Sequence, residues 1–235
     1  MDKTIWIIAN WKSNKTIAEA LDWISEVGPK VPKQDNLKVV VCPTFNCISE
    51  IKKAILVGNF PLLVGAQDLS PFGVGAYTGE EPAQLLNGLI NLAILGHSER
   101  KKNFGETDKT VAEKTKQALG NNIIPLVCIQ SEEVPVPEGC RMITYEPSWA
   151  ISTWFTNKPE AGKADTPENA NRIASFLKQK YGSPTGELEV IYGGSVNSNN
   201  VKGFLTQENI NGVLVGNASL DSQEFVKICQ AVEKI

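Results

Sequence analysis

Asn91-Leu-Ala-Ile-Leu-Gly-His-Ser-Glu-Arg100 is a short apolar run that stops at a glycine and gives way to four polar residues. A run of this length predicts a strand covered on both faces, which places His97, the sole histidine of the chain, at the strand's carboxyl end. In an α/β protein that edge is where ligands bind. A lone histidine means little by itself, and its weight here comes from repetition. The same pattern, an apolar run ending in a polar tip, recurs along the chain.

Upstream, Thr4 to Ala9 ends in Asn10-Trp-Lys12-Ser-Asn14, Leu37 to Cys42 ends at Pro43, and Pro61 to Ala66 opens onto a Gly-rich loop. Downstream lie Ile123 to Ile129, Arg141 to Tyr145, Leu188 to Tyr192 and Val213 to Val215, which bring the strand signals to eight. The sixth ends in Tyr145-Glu146-Pro147, and the last two end in Gly193-Gly194-Ser195 and Gly216-Asn217. Helical patterns alternate with these runs. Thr16 and Glu19 form a capping box ahead of Ile17, Leu21 and Ile24, and Ile48, Ile51 and Ile55 mark a second helix. Glu80 with Pro82 predicts a third through Leu85, Leu86, Leu89 and Ile90, and Gly105 to Leu119 a fourth. Thr166-Pro167-Glu168 starts another that runs to Tyr181, and Asp221 with Glu224 caps the last.

Eight strands alternating with six or seven helices predict an α/β protein in which a (β/α)8 barrel closes as a single domain over residues 1–235. The alternative, an open doubly wound sheet, lacks its usual mark, since no G-x-G-x-x-G follows the first strand. One unit breaks the rhythm. Gln130 to Gly139 is too short for a crossover helix and carries Pro135 and Pro137, so the helix between strands five and six should be missing or very short.

Composition narrows the function. The net charge is −3 with no basic run, so neither nucleic acid nor an anionic membrane is indicated as a partner. Ile5 to Ala9 is too short for a signal segment or a membrane span, and a cytoplasmic location is expected. Five cysteines, odd in number and without C-x-x-C spacing, read as reduced thiols.

If the barrel closes, its carboxyl edge collects Asn10, Lys12, His97, Glu146, Gly193, Gly194, Ser195, Gly216 and Asn217. This set supplies a base, an electrophile, a cation and a glycine-rich phosphate cradle of the kind such barrels carry after strands seven and eight. No Cys/His/carboxylate spacing marks a metal site and no serine sits in a nucleophile elbow, so no metal or other cofactor is expected. What remains is proton abstraction α to a carbonyl on a small phosphorylated substrate.

The motifs Ala9-Asn-Trp-Lys12, Gly96-His-Ser-Glu-Arg100, Tyr145-Glu-Pro147 with Trp149-Ala-Ile151, Tyr192-Gly-Gly-Ser-Val196 and Leu214-Val-Gly216 resemble the triosephosphate isomerase family. They occur in the family's order, across the whole chain. The resemblance implies an isomerase of glycolysis and gluconeogenesis acting on triose phosphates, with Glu146 as base, His97 as a neutral electrophile and Lys12 as a fixed cation beside Asn10. It further implies that Glu99 holds Lys12, that Ser98 holds Glu146 when no ligand is bound, and that phosphate binds main-chain N–H groups of Ser195, Asn217 and, once a lid closes, Ser152. It also implies a homodimer, which fits the apolar Leu69, Phe72, Val74 and Tyr77 in the loop from Leu69 to Gly79. In the family this loop reaches the neighbour's active site, which would place Thr78 near the partner's Lys12.

This chain departs from the family where Gln130, Ser152, Trp154 and Asn217 replace glycines and where Ser131 replaces a glutamate. Pro147 to Trp149 matches one hinge of the lid and Gly162-Lys163-Ala164 the other, which makes Trp154 to Ala161 an insertion. Two other readings stand beside the isomerase. One is a phosphate-binding barrel with impaired or lost turnover, and the other is a sugar-phosphate isomerase of amino-acid biosynthesis.

Overall fold

The computed structural model describes residues 3–147, 164–182 and 187–234. Within them β1 (Ile5–Asn10), β2 (Leu37–Cys42), β3 (Leu63–Ala66), β4 (Leu92–Leu95), β5 (Ile124–Ile129), β6 (Met142–Tyr145), β7 (Glu189–Tyr192) and β8 (Gly212–Val215) pair in parallel and close into a barrel. The strand runs are continuously apolar because both faces are covered. Alternate residues such as Trp6, Ile8, Val40, Ile94, Leu126 and Ile191 fill the barrel, while Ile5, Ile7, Val39 and Val41 belong to the larger core outside it.

The closing seam joins the first strand to the last, with Trp6 opposite Gly212 and Ala9 opposite Val215. A Cβ on Gly212 would lie 2.1 Å from the Trp6 carbonyl oxygen, so the seam closes at this register only without a side chain there. Below it, Lys3 Nζ donates to the carbonyls of Leu205, Gln207 and Ile210 at 3.3, 2.7 and 2.7 Å.

The helices follow the caps written in the sequence. The Thr16–Glu19 capping box starts α1 (Ile17–Val27), which buries Ala20, Trp23, Ile24 and Val27 and leaves Ile17 41% exposed. After α2 (Ile48–Gly58), the helix expected through Ile90 is a single turn, α3 (Ala83–Leu86). Gly88 stands at φ +81°, which a continuing α-helix does not allow. A short helix, α4 (Ser98–Phe104), follows β4, and the helix expected over Gly105 to Leu119 is α5 (Asp108–Gly120), which starts three residues later. Gly105, at φ +66°, caps the end of α4, and Thr107 caps the start of α5. Further on come α6 (Pro167–Tyr181), α7 (Val201–Leu205), which the sequence pattern does not signal, and α8 (Ser222–Gln230).

Between β5 and β6 there are only turns, as Pro135 and Pro137 require. Val134 and Val136 pack onto the core in place of the absent helix. The two strands nonetheless pair in parallel from Leu126–Met142 to Ile129–Tyr145, which sets the ends of both at the same rim.

Candidate active site

The first strand delivers Asn10 as its last residue. Asn10 Oδ1 accepts the Lys12 N–H at 3.1 Å, and Lys12 sits at φ +53°, a left-handed conformation that a lysine keeps only when its surroundings hold it. Its Nζ meets Glu99 Oε1 at 2.5 Å, so Glu99 occupies the place expected of it. After β4, Gly96 turns the chain at φ +71°, where a Cβ would also lie 3.0 Å from Val111. That turn presents His97 as the N-cap of α4.

His97 Nδ1 accepts the Glu99 N–H at 3.2 Å. A ring nitrogen that accepts carries no proton, so the neutral imidazole bears its proton on Nε2. Nε2 faces Glu146 Oε1 at 3.1 Å.

Glu146 follows β6 and is 1% exposed. Its Oε2 accepts from the Ser98 N–H at 3.1 Å and from Gln130 Nε2 at 3.2 Å. Ser98 thus holds the carboxylate through its main chain, while the buried Ser98 hydroxyl has no partner among the described residues. Beneath it, burial pushes the Cys128 thiol well above the usual thiol range, and the neighbouring Glu146 adds to the effect. Gly193 also leaves room for the Glu146 side chain. A Cβ there would meet Thr144 Cγ2 at 2.3 Å and Glu146 Cγ at 3.0 Å.

Asn10, Lys12, His97, Glu146, Gly193, Gly194, Ser195, Gly216 and Asn217 all line one cavity of 350 Å³ at the carboxyl rim. Ser98 and Glu99 stand behind it, and Ser152, with the lid residues 148–163, lies outside the described residues. An adjoining cavity of 250 Å³ shares Asn10, Lys12 and His97 and extends to Thr44, Gln67 and Phe104. Among the described residues, no three His, Cys, Asp or Glu side chains converge as a metal site.

Two supports have no simple sequence signal. Gln67 Nε2 donates to the carbonyls of Lys12 and Cys42 at 2.9 and 3.0 Å, pinning the strained lysine from below. Arg100 pairs with Asp68 at 2.8 Å and with Glu106 at 3.3 Å, and buried Lys114 bonds both oxygens of Asp68 at 2.7 and 2.8 Å and also pairs with Glu106. This network ties α4 and α5 to the chain after β3. Lys114 lies buried on the helix face that carries Val111 and Ala118.

A buried carboxylate, a neutral imidazole with its N–H on the cavity side and a fixed ammonium suit carbon-acid chemistry on an anionic substrate. The family model described as triosephosphate isomerase matches residues 5–140 and 136–232. A protein of Endomicrobium trichonymphae named triosephosphate isomerase is 35% identical over 247 aligned residues, covering 93% of this chain and 95% of that protein. One of the same name from Clostridium botulinum (strain ATCC 19397 / Type A) is 36% identical, covering 96% and 98%. The crystal structure of triosephosphate isomerase from Bartonella henselae superposes with a TM-score of 0.81 over 98% of this chain and 99% of that one, and at 24% identity it speaks for the fold.

Proposed function

Because the chain belongs to the triosephosphate isomerase family, we propose that Glu146, His97, Lys12 and Asn10 carry its reaction and that the rim of β7 and β8 binds the phosphate. The reaction is the interconversion of dihydroxyacetone phosphate and D-glyceraldehyde 3-phosphate, an aldose–ketose isomerisation that links the two triose phosphates of glycolysis and gluconeogenesis.

In this reading Glu146 removes the C1 proton of dihydroxyacetone phosphate, and the C–H electron pair becomes the C1–C2 double bond of an enediolate. His97 passes its Nε2 proton to O2 and takes the O1 hydroxyl proton in its place, which moves the negative charge from O2 to O1. Glu146 then returns its proton to C2. Lys12 stabilises the oxyanion, and the Asn10 amide adds a donor on the same side. The protons of Glu146 and His97 balance over the cycle, so no cofactor is needed. Main-chain N–H groups of Ser195 and Asn217, within the Gly193-Gly194 and Gly216 turns, hold the phosphate, joined by Ser152 from the lid.

The observation that carries the assignment is the tautomer. With Nδ1 bonded to the Glu99 N–H, the imidazole can offer only Nε2–H to the cavity, which is what a neutral electrophile requires. A coupled assay with glyceraldehyde 3-phosphate tests it. The parent should turn over, and Glu146→Ala should lose nearly all of kcat. A kcat within a few-fold of the parent would reject Glu146 as the base. No observation favours a barrel that binds phosphate without turnover.

The working form is read as a homodimer through the loop from Leu69 to Gly79. Leu69, at 2% exposure, packs into its own core and drops out of the expected contact set. Phe72 and Tyr77 stack at 4.3 Å, and Val74 stays 57% exposed. The 250 Å³ cavity beside Lys12 is a receptor for such a loop, with Thr78 near the partner's Lys12. Light scattering that finds only monomer at micromolar concentration would refute it. No described helix is long and apolar enough to cross a membrane, and the substrates suit a cytoplasmic enzyme.

A further inference from the structure

Gln130 stands one residue past β5, and the β5–β6 register, which ends with Ile129 opposite Tyr145, sets it beside Glu146. Its Nε2 lies 3.2 Å from Glu146 Oε2 and 3.5 Å from the Gly96 carbonyl oxygen. Both neighbours only accept hydrogen bonds, so the amide must turn its NH2 group, and not its oxygen, toward the carboxylate. Glu146 Oε2 therefore receives two donors, the Ser98 main-chain N–H and this side chain. The Ser98 N–H belongs to the start of α4 and is fixed, whereas the Gln130 amide is an addition that a glycine at this position could not make.

We propose that Gln130 is a positioning residue that docks the base in its retracted place and must release it before the carboxylate reaches substrate carbon. The inference rests on Glu146 being the base. A base that takes a proton from carbon needs a free lone pair and room to advance, and here it is buried with Oε2 held by two donors and Oε1 facing His97 Nε2 at 3.1 Å. Each donor that stays behind opposes the advance. A hydrogen bond to a charged group in a half-buried setting contributes enough that losing it shifts an equilibrium about tenfold.

The test replaces the donor and keeps the shape. Gln130→Met has nearly the length of glutamine and no N–H. It should raise kcat/KM for unphosphorylated D-glyceraldehyde, a poor substrate limited by chemistry and not by encounter, by about tenfold, while competitive inhibition by inorganic phosphate stays within about twofold, since Gln130 does not line the 350 Å³ cavity. Gln130→Asn, one methylene shorter, should behave like the methionine variant. A kcat/KM unchanged within twofold overturns the proposal. So does a fall in kcat, which would mean that the amide supports the advanced carboxylate.

A second readout is independent of turnover. His97 is the only histidine, so its Nε2–H resonance reports the approach of Glu146 without ambiguity. In Gln130→Met that resonance should move upfield and exchange faster as the carboxylate leaves the dock. An identical resonance in parent and variant overturns the docking role even if the enzyme proved inactive on triose phosphate. Failure of the base assignment appears separately, in Glu146→Ala.

Discussion

Gly193→Ala adds one methyl group between β6 and β7, at a φ that alanine accepts, so its effect is a matter of space alone. The new Cβ would lie 2.3 Å from Thr144 Cγ2, 3.0 Å from Glu146 Cγ and 3.4 Å from the Tyr145 carbonyl oxygen. Carbon atoms in contact settle at about 3.5 to 4.0 Å, so the first gap must open by about 1.2 Å or more and the second by about 0.5 Å. The strand cannot simply step back, because the Gly193 N–H is bonded to the Tyr145 carbonyl at 2.9 Å. Overpacking of this kind costs about 1 to 3 kcal/mol, or a fall in Tm of about 2 to 12 °C for a chain of this size. The base bears part of the displacement, and a misplacement near 1 Å costs about 100-fold in rate. Thr144→Ala in the same chain removes the worst contact and leaves the one to Glu146. The double variant should therefore recover most of the Tm and little of the kcat. Differential scanning calorimetry and the coupled assay measure the two effects. A single variant with parental Tm and parental kcat would refute the argument that this glycine exists to make room for the base.

Lys114→Met should destabilise the protein by about 3 to 5 kcal/mol in urea unfolding, since it leaves the Asp68 and Glu106 carboxylates facing each other with Arg100 as their one remaining partner in the network. A loss under about 1 kcal/mol would mean that water enters and solvates the pair. Burial raises the Glu189 carboxyl above its ordinary range, so the folded chain binds that proton more tightly than the unfolded one, and stability from this site falls as pH rises through the carboxylate range. Glu189→Gln, uncharged and still able to accept from Trp6 Nε1, should be the more stable protein above about pH 5 and should lose that advantage below about pH 4, as read from paired thermal melts. The five cysteines are all buried, and burial raises the Cys140 thiol to about 11, so a disulfide reagent at pH 8 should find none of them until the chain is unfolded.

The strands were legible because a doubly covered strand writes itself as an unbroken apolar run, and Leu37–Cys42 has the same limits in sequence and structure. The proposed catalytic set was legible because each member sits at the end of such a run. What stayed hidden is tertiary. Nothing local tells that Gly88 ends a helix whose apolar spacing continues to Ile90, or that Gly105 closes one helix instead of opening the next. Leu69 looked like a loop residue awaiting a partner and is instead covered by its own chain. The ion cluster around Lys114 escaped because charged residues are ordinarily solvated, and only the packing of α4 and α5 on the chain after β3 brings these four together. The lid residues Ser152 and Trp154 to Ala161 fall outside the described residues.

The closing seam also governs how such a chain can be made. Every pairing from β1 to β7 joins neighbours in sequence, but β1 finds its second partner only in Gly212–Val215. On a ribosome, then, the first strand waits through nearly the whole of synthesis with one ladder of N–H and C=O groups unpaired, and β7 offers a matching open edge at the far side. Lys3 waits as well, because its three carbonyl partners lie 202 to 207 residues downstream. Premature release before β8 would leave a sheet with two apolar edges, a substrate for chaperones and for aggregation. Slow codons near the end of the message would lengthen that exposed interval, whereas slow codons near the start would not.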